Sequence, residues 1–291
     1  VAPPATAAGE EYVALGDSYA SGLGTRSYLD DGSECKRSSA AYSSLVAAAN
    51  GWALNLRACS GATVSDVTST QLPALSAATS YVSISVGGND AGFVDVLTEC
   101  ALPAWASDCA GAVAGAQSYI ANTLPASLSG LYSSIAAGAP SAQVAVVGYP
   151  HVFMGEDCNA ATFFSPEDEA LLNATADQLN GALATAASNA GFAFADPTSA
   201  FTGHAVCDDP EWLNGFSDPI DESYHPNVAG HAEGFAPLVA SALTGSTLRV
   251  TPAVRREAAA NGPAIAREQR RHAGADATIE TEKFRAPPQA R

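Results

Sequence analysis

Basic residues are nearly missing from most of this chain. Only four Lys or Arg (Arg26, Lys36, Arg37 and Arg57) precede residue 249, against 25 Asp or Glu. A body so acidic repels polyanions and stays soluble, which argues against nucleic acid as a partner. Long apolar runs are lacking too. No stretch reaches the roughly eighteen residues that would mark a membrane helix, so no membrane span is predicted. The CxxC and HExxH spacings of metal sites do not occur, and neither a metal nor a cofactor is expected.

What is present is a 291-residue chain, 47% hydrophobic and 15% charged. That is enough for one large α/β domain or two small ones with a substantial core. The six cysteines, Cys35, Cys59, Cys100, Cys109, Cys158 and Cys207, lie beside turn-like residues. Their even number points to three disulfides in an exported protein. Six cysteines permit fifteen pairings; the simplest joins neighbours, Cys35 with Cys59, Cys100 with Cys109 and Cys158 with Cys207. Residues 1–9 have no charged or apolar core segment and read as a linker left after signal-peptide removal.

Strand and helix patterns alternate along the chain. Strands are predicted over residues 12–16, 52–57, 81–86, 143–148 and 192–196, and helices over 40–49, 64–71, 111–137, 166–190 and 226–243. Ser165-Pro166 followed by three acids marks a helix start most clearly. The fold class is therefore α/β with a mostly parallel sheet of about five strands. From residue 248 the composition changes: nine Lys or Arg stand against five acids over 249–291, and Phe284 is the tail's lone aromatic. This basic tail is expected to be disordered, with short helices over 253–260 and 264–272 at most, broken at Gly262-Pro263.

Three glycine-bearing turns follow successive strands: Gly16-Asp17-Ser18, Ser60-Gly61-Ala62 and Gly87-Gly88-Asn89-Asp90. In a parallel sheet these ends share one edge and can converge on a crevice. Late in the chain comes Glu222-Ser223-Tyr224-His225-Pro226-Asn227. A serine nucleophile, a glycine N–H, an asparagine amide and a histidine form the set that acyl transfer requires. Asp17 is expected to hold its turn by accepting hydrogen bonds. His151, His204, His231 and His272 are assigned no chemistry.

The four blocks Gly16-Asp17-Ser18, Ser60-Gly61, Gly87-Gly88-Asn89-Asp90 and Tyr224-His225-Pro226 resemble those of SGNH or GDSL-type esterases and lipases. The match runs in family order over about residues 10–245 and looks most like the secreted actinobacterial lipases, in which three sequential disulfides recur. The resemblance implies a flavodoxin-like three-layer sandwich over 10–247, with 1–9 and 248–291 outside it. It implies Ser18 as nucleophile and His225 as general base. The implied oxyanion hole comprises the Ser18 and Gly61 N–H groups and the Asn89 side chain. Where many members carry Asp three residues before the histidine, this chain has Glu222, with Asp221 before it. The resemblance favours a backbone carbonyl, that of Ser223, over Glu222 for orienting His225. The implied function is a secreted, monomeric ester hydrolase acting on lipid or other acyl esters, as a lipase or phospholipase. A carbohydrate-ester deacetylase is the alternative, and a non-catalytic surface-binding protein a remote one. Phe93, Tyr149, Phe153, Phe163 and Phe164 are the candidate walls of an acyl groove.

Overall fold

The computed structural model describes residues 9–281, 284 and 285, so all but Gly9 of the expected N-terminal linker lies outside the described residues. Five strands, β1 (Glu11–Gly16), β2 (Ala53–Leu56), β3 (Thr79–Ser85), β4 (Gln143–Val147) and β5 (Ala193–Ala195), form one sheet in the order β2-β1-β3-β4-β5. Every pairing is parallel. Tyr12–Leu15, Val82–Ser85 and Val144–Val147 are buried, as expected when helices cover both faces of a parallel sheet.

Helices follow the strands in alternation. Near the N-terminus lie α1 (Ser18–Ser21), α2 (Tyr42–Asn50) and α3 (Val64–Asp66), then α4 (Phe93–Cys100), α5 (Cys109–Asn122) and α6 (Leu124–Gly138). Next come α7 (Pro166–Ala190), α8 (Ala236–Thr244), α9 (Pro252–Gln269) and α10 (Ala273–Asp276). Helices α2, α8 and α9 pack together on one side of the sheet, and α4 to α7 form a second group. The chain leaves β1 for β2 on one side and returns to β3 on the other. That reversal is the switch point where open α/β sheets bind ligands, beyond the carboxyl ends of the strands. The register sets Gly16 opposite Ser85, so the turns after β1 and β3 emerge side by side.

All three disulfides join the sequence neighbours expected. One expected helix is split. The single helix over 111–137 is two, α5 and α6, meeting at Thr123. Pro125 has no N–H for the carbonyl four residues back, which ends the first helix. The helix start at Ser165 is as expected: its hydroxyl and the Asp168 carboxylate cap each other's backbone groups.

The basic tail corrects the expectation of disorder. Helix α9 runs unbroken through Pro263, with Gly262 against Leu29 and with Ala258, Ile265 and Ala266 buried. Its packing on α2 and β2 outweighs the local breaker. The stronger reason is electrostatic. Arg37 and Arg57 are buried in the body, and a buried guanidinium costs several kcal/mol unless a carboxylate meets it. Asp276 of the tail supplies one, accepting from Arg37 Nη2 at 2.9 Å and Arg57 Nη2 at 2.8 Å. Asp31 binds Arg37 Nη1 at 2.9 Å, and Gln269 Oε1 accepts from Arg57 Nη1 at 2.8 Å. Replacing Asp276 with Ala leaves two buried cations short of a counter-charge and is expected to lower stability by about 3–5 kcal/mol. Urea unfolding checks this; an unshifted midpoint would mean that the tail is not docked.

Candidate active site

Strand β1 ends at Gly16, whose φ of +125° no other residue adopts easily. A Cβ there would meet the Ser85 carbonyl oxygen at 2.1 Å. The Gln71 amide satisfies this sharp turn, donating to the Gly16 carbonyl at 2.9 Å and accepting from the Gly16 N–H at 2.8 Å. Nothing in the local sequence marked Gln71 for this. Asp17 then caps α1, its carboxylate accepting from the Tyr19 N–H at 3.0 Å and from the Tyr149 hydroxyl. Burial pushes the Asp17 carboxyl up to about 7, opposed by the bonds from Tyr149 and Tyr19. The Tyr149 hydroxyl also accepts from the Gly88 N–H at 3.3 Å. One phenol thus ties together the carboxyl ends of β1, β3 and β4.

Ser18, first residue of α1, presents its Oγ 2.9 Å from Nε2 of His225. On the other side of the ring, His225 Nδ1 lies 2.9 Å from the Ser223 carbonyl oxygen. The residue between them makes that contact possible. Tyr224 has φ +61°, a left-handed conformation costing roughly 1–2 kcal/mol for a side chain of this size. It turns the Ser223 carbonyl back toward the imidazole. Tyr224 is buried, its ring against Phe153 and Phe164, and its own carbonyl accepts from the Tyr19 hydroxyl at 2.7 Å.

Glu222 points elsewhere. Its carboxylate accepts from Arg26 Nε at 3.0 Å and from the Tyr28 hydroxyl at 2.6 Å, while Asp221 pairs with Lys36 at 3.6 Å. Asn89 lines the same cavity as Ser18 and His225. Its Nδ2 donates one hydrogen to the Ala62 carbonyl at 3.0 Å, and an amide nitrogen carries a second. That bond fastens the turn after β3 to the loop holding Gly61, which the Cys35–Cys59 bridge also pins. Gly61 has φ +85°.

Burial lowers the His225 pKa to about 4, against the opposing pull of the Ser223 carbonyl. The imidazole is thus neutral, and able to accept a proton, across the ordinary pH range. His231 is buried too, its Nδ1 accepting from the Tyr42 N–H at 3.3 Å, and it takes no part in the site.

Beside Ser18 opens a cavity walled by Phe93, Val94, Leu97, Tyr149, Leu179 and Phe284. Of the five aromatics expected there, Phe93 and Tyr149 are present. Phe153 and Phe164 are buried beneath it against each other, and Phe163 is half exposed. Phe284 was missed because the tail read as separate from the domain; its being the tail's one aromatic was the available signal.

A serine at the switch point of a parallel sheet, hydrogen-bonded to a histidine from a distant loop, defines a serine hydrolase of the α/β class. The chain belongs to the GDSL-like Lipase/Acylhydrolase family, whose model matches residues 14–233, and is a carboxylic ester hydrolase. It is 44% identical to a lipase of Streptomyces rimosus over 234 residues, 80% of this chain and 86% of that one. The crystal structure of an extracellular lipase from Streptomyces rimosus superposes with a TM-score of 0.75 at 42% identity, covering 80% of this chain and 99% of the lipase. The phospholipase A1 of Streptomyces albidoflavus NA297 superposes at 0.76 with 41% identity, covering 81% and 100%.

Two outcomes are expected. Glu222→Gln should lower kcat by less than about tenfold; a fall toward the roughly 10⁴-fold seen when a triad carboxylate is lost would overturn the assignment of Ser223. A mechanism that needs a neutral His225, whose burial disfavours protonation, predicts that kcat/KM holds as pH falls and is halved only near pH 4. A midpoint near the ordinary histidine value of about 6.5 would contradict that burial.

Proposed function

We propose that Ser18 and His225 hydrolyse acyl esters through an acyl-enzyme, with the Ser223 carbonyl orienting the histidine. In this reading His225 Nε2 takes the Ser18 proton as Oγ attacks the ester carbonyl. The Ser223 oxygen keeps Nδ1 protonated and the lone pair of Nε2 on the serine. Negative charge developing on the carbonyl oxygen is met by the Ser18 and Gly61 N–H groups and the free N–H of Asn89, each worth about 2.7–4 kcal/mol in the transition state. His225 then gives its proton to the leaving alcohol. A water activated by the same ring releases the fatty acid and restores Ser18.

The observation that carries the reading is the unbroken relay from Ser18 Oγ to His225 to the Ser223 carbonyl, 2.9 Å at each step, opening on an apolar cavity. That lining suits fatty acyl groups, hence lipase or phospholipase substrates, over the acetyl groups of carbohydrate esters. Secretion is supported by three disulfides and by the extracellular Streptomyces rimosus relative. Action as a monomer is supported by a relay drawn from a single chain.

Ser18→Ala should lower kcat on p-nitrophenyl butyrate by about 10⁴–10⁶-fold and abolish covalent labelling by an alkyl phosphonate. Equal turnover in both proteins would remove the serine mechanism.

A further inference from the structure

The family match ends at residue 233, yet the walls of the cavity do not. Beyond α10 the chain leaves its anchor at Asp276 and Ile279 is again buried. The Glu280 carbonyl lies against Gly61, so closely that a Cβ on the glycine would stand 2.0 Å from that oxygen and 2.8 Å from the Thr281 Cα. Phe284 is 4% exposed. Its ring meets Tyr224 edge-on at 5.0 Å and Phe216 at 6.1 Å, and it lines the cavity with Ser18 and His225. The next residue is tied to the opposite wall: the Arg285 N–H donates to Thr98 Oγ1 at 3.3 Å, on the helix that supplies Val94 and Leu97.

The space left beside the serine is small. About 40 Å³ there is free to the centres of water molecules. The Phe284 ring takes up part of the cavity that Ser18 and His225 also line.

We propose that Phe284 determines acyl-chain specificity, its ring occupying the part of the groove that a longer chain would fill. The proposal rests on Ser18 acting on acyl esters. The fold positions this residue from outside the family domain: Asp276 locks the segment to the two buried arginines, and Phe284 reaches the groove eight residues later. The substrate class is then fatty acyl esters whose chain length the side chain at 284 limits, with longer chains admitted as that side chain shrinks.

The test compares the full-length wild type with Phe284→Ala, Phe284→Leu and Phe284→Trp on p-nitrophenyl acetate, butyrate, octanoate and dodecanoate. The reading is the ratio of kcat/KM for dodecanoate to that for acetate. It should rise at least tenfold in Phe284→Ala, the scale of discrimination that apolar contacts give. It should rise less in Phe284→Leu and fall in Phe284→Trp. Leucine keeps an apolar side chain in the seat, so that variant decides the matter even if the alanine protein unfolds. Ratios equal to wild type in folded variants would overturn the proposal. Ser18→Ala separates the two readings. Serine-dependent turnover with unchanged ratios sinks the specificity role alone, and serine-independent turnover sinks the mechanism beneath it.

Discussion

A single hydrogen bond, from the Tyr19 hydroxyl to the Tyr224 carbonyl at 2.7 Å, joins helix α1 to a loop 205 residues away. Its donor follows Ser18 and its acceptor precedes His225, so the bond holds those two side chains within reach of each other. Both tyrosines are buried, where an unmet polar group is costly, and this makes the pairing hard to exchange for water. The left-handed backbone at Tyr224 is affordable only within such surroundings. Strain held by packing at a reactive loop is a recurrent arrangement, and here its product is visible: a main-chain carbonyl aimed at an imidazole nitrogen.

Much of this site was legible in the sequence because turns at strand ends follow from strong local rules. Gly16, Gly61 and Gly87 all take positive φ, and each ends or follows a segment whose apolar run announced a strand. The order of the four blocks then located Ser18, Asn89 and His225. What could not be read were contacts between segments with no shared pattern. Gln71 buttresses Gly16 from 55 residues away, and Arg57 meets Asp276 across 219. A composition rule sees the tail as basic and solvated. The decisive residue in it is one of its few acids, because two cations in the body lack enough partners of their own. Pro263 misled for a similar reason, since a breaker's cost of about 3 kcal/mol competes with burial that sequence pattern does not reveal.

The orientation of His225 by a neutral carbonyl has an electrostatic consequence. A carboxylate against Nδ1 would favour the imidazolium and raise its pKa. A carbonyl dipole does so more weakly, and burial wins, leaving the histidine near 4. Under the proposed mechanism the site depends less on a fixed charge to stabilise the imidazolium and more on the oxyanion donors across the cavity. That places weight on the loop holding Gly61, whose position is set by the Cys35–Cys59 bridge, by the bond from Asn89 to Ala62 and by the Glu280 backbone above it.

The scarcity of cations explains how these pieces stay together. Each of the four Lys or Arg before residue 249 is in an ion pair. Arg26 and Lys36 hold Glu222 and Asp221, the two acids just ahead of the histidine loop. Arg37 and Arg57 hold Asp31 and Asp276, and the Arg37 guanidinium also donates to the Ala58 and Arg57 carbonyls beside Cys59. Arg26 is more than half exposed and its pair contributes little on its own. The buried pairs act differently: removing one partner strands a charge, so they specify which segments must meet. In an otherwise acidic body, positive charge is concentrated where loops must be fastened. The carboxylate at 222 is consequently engaged away from His225, which leaves the Ser223 carbonyl as the histidine's partner.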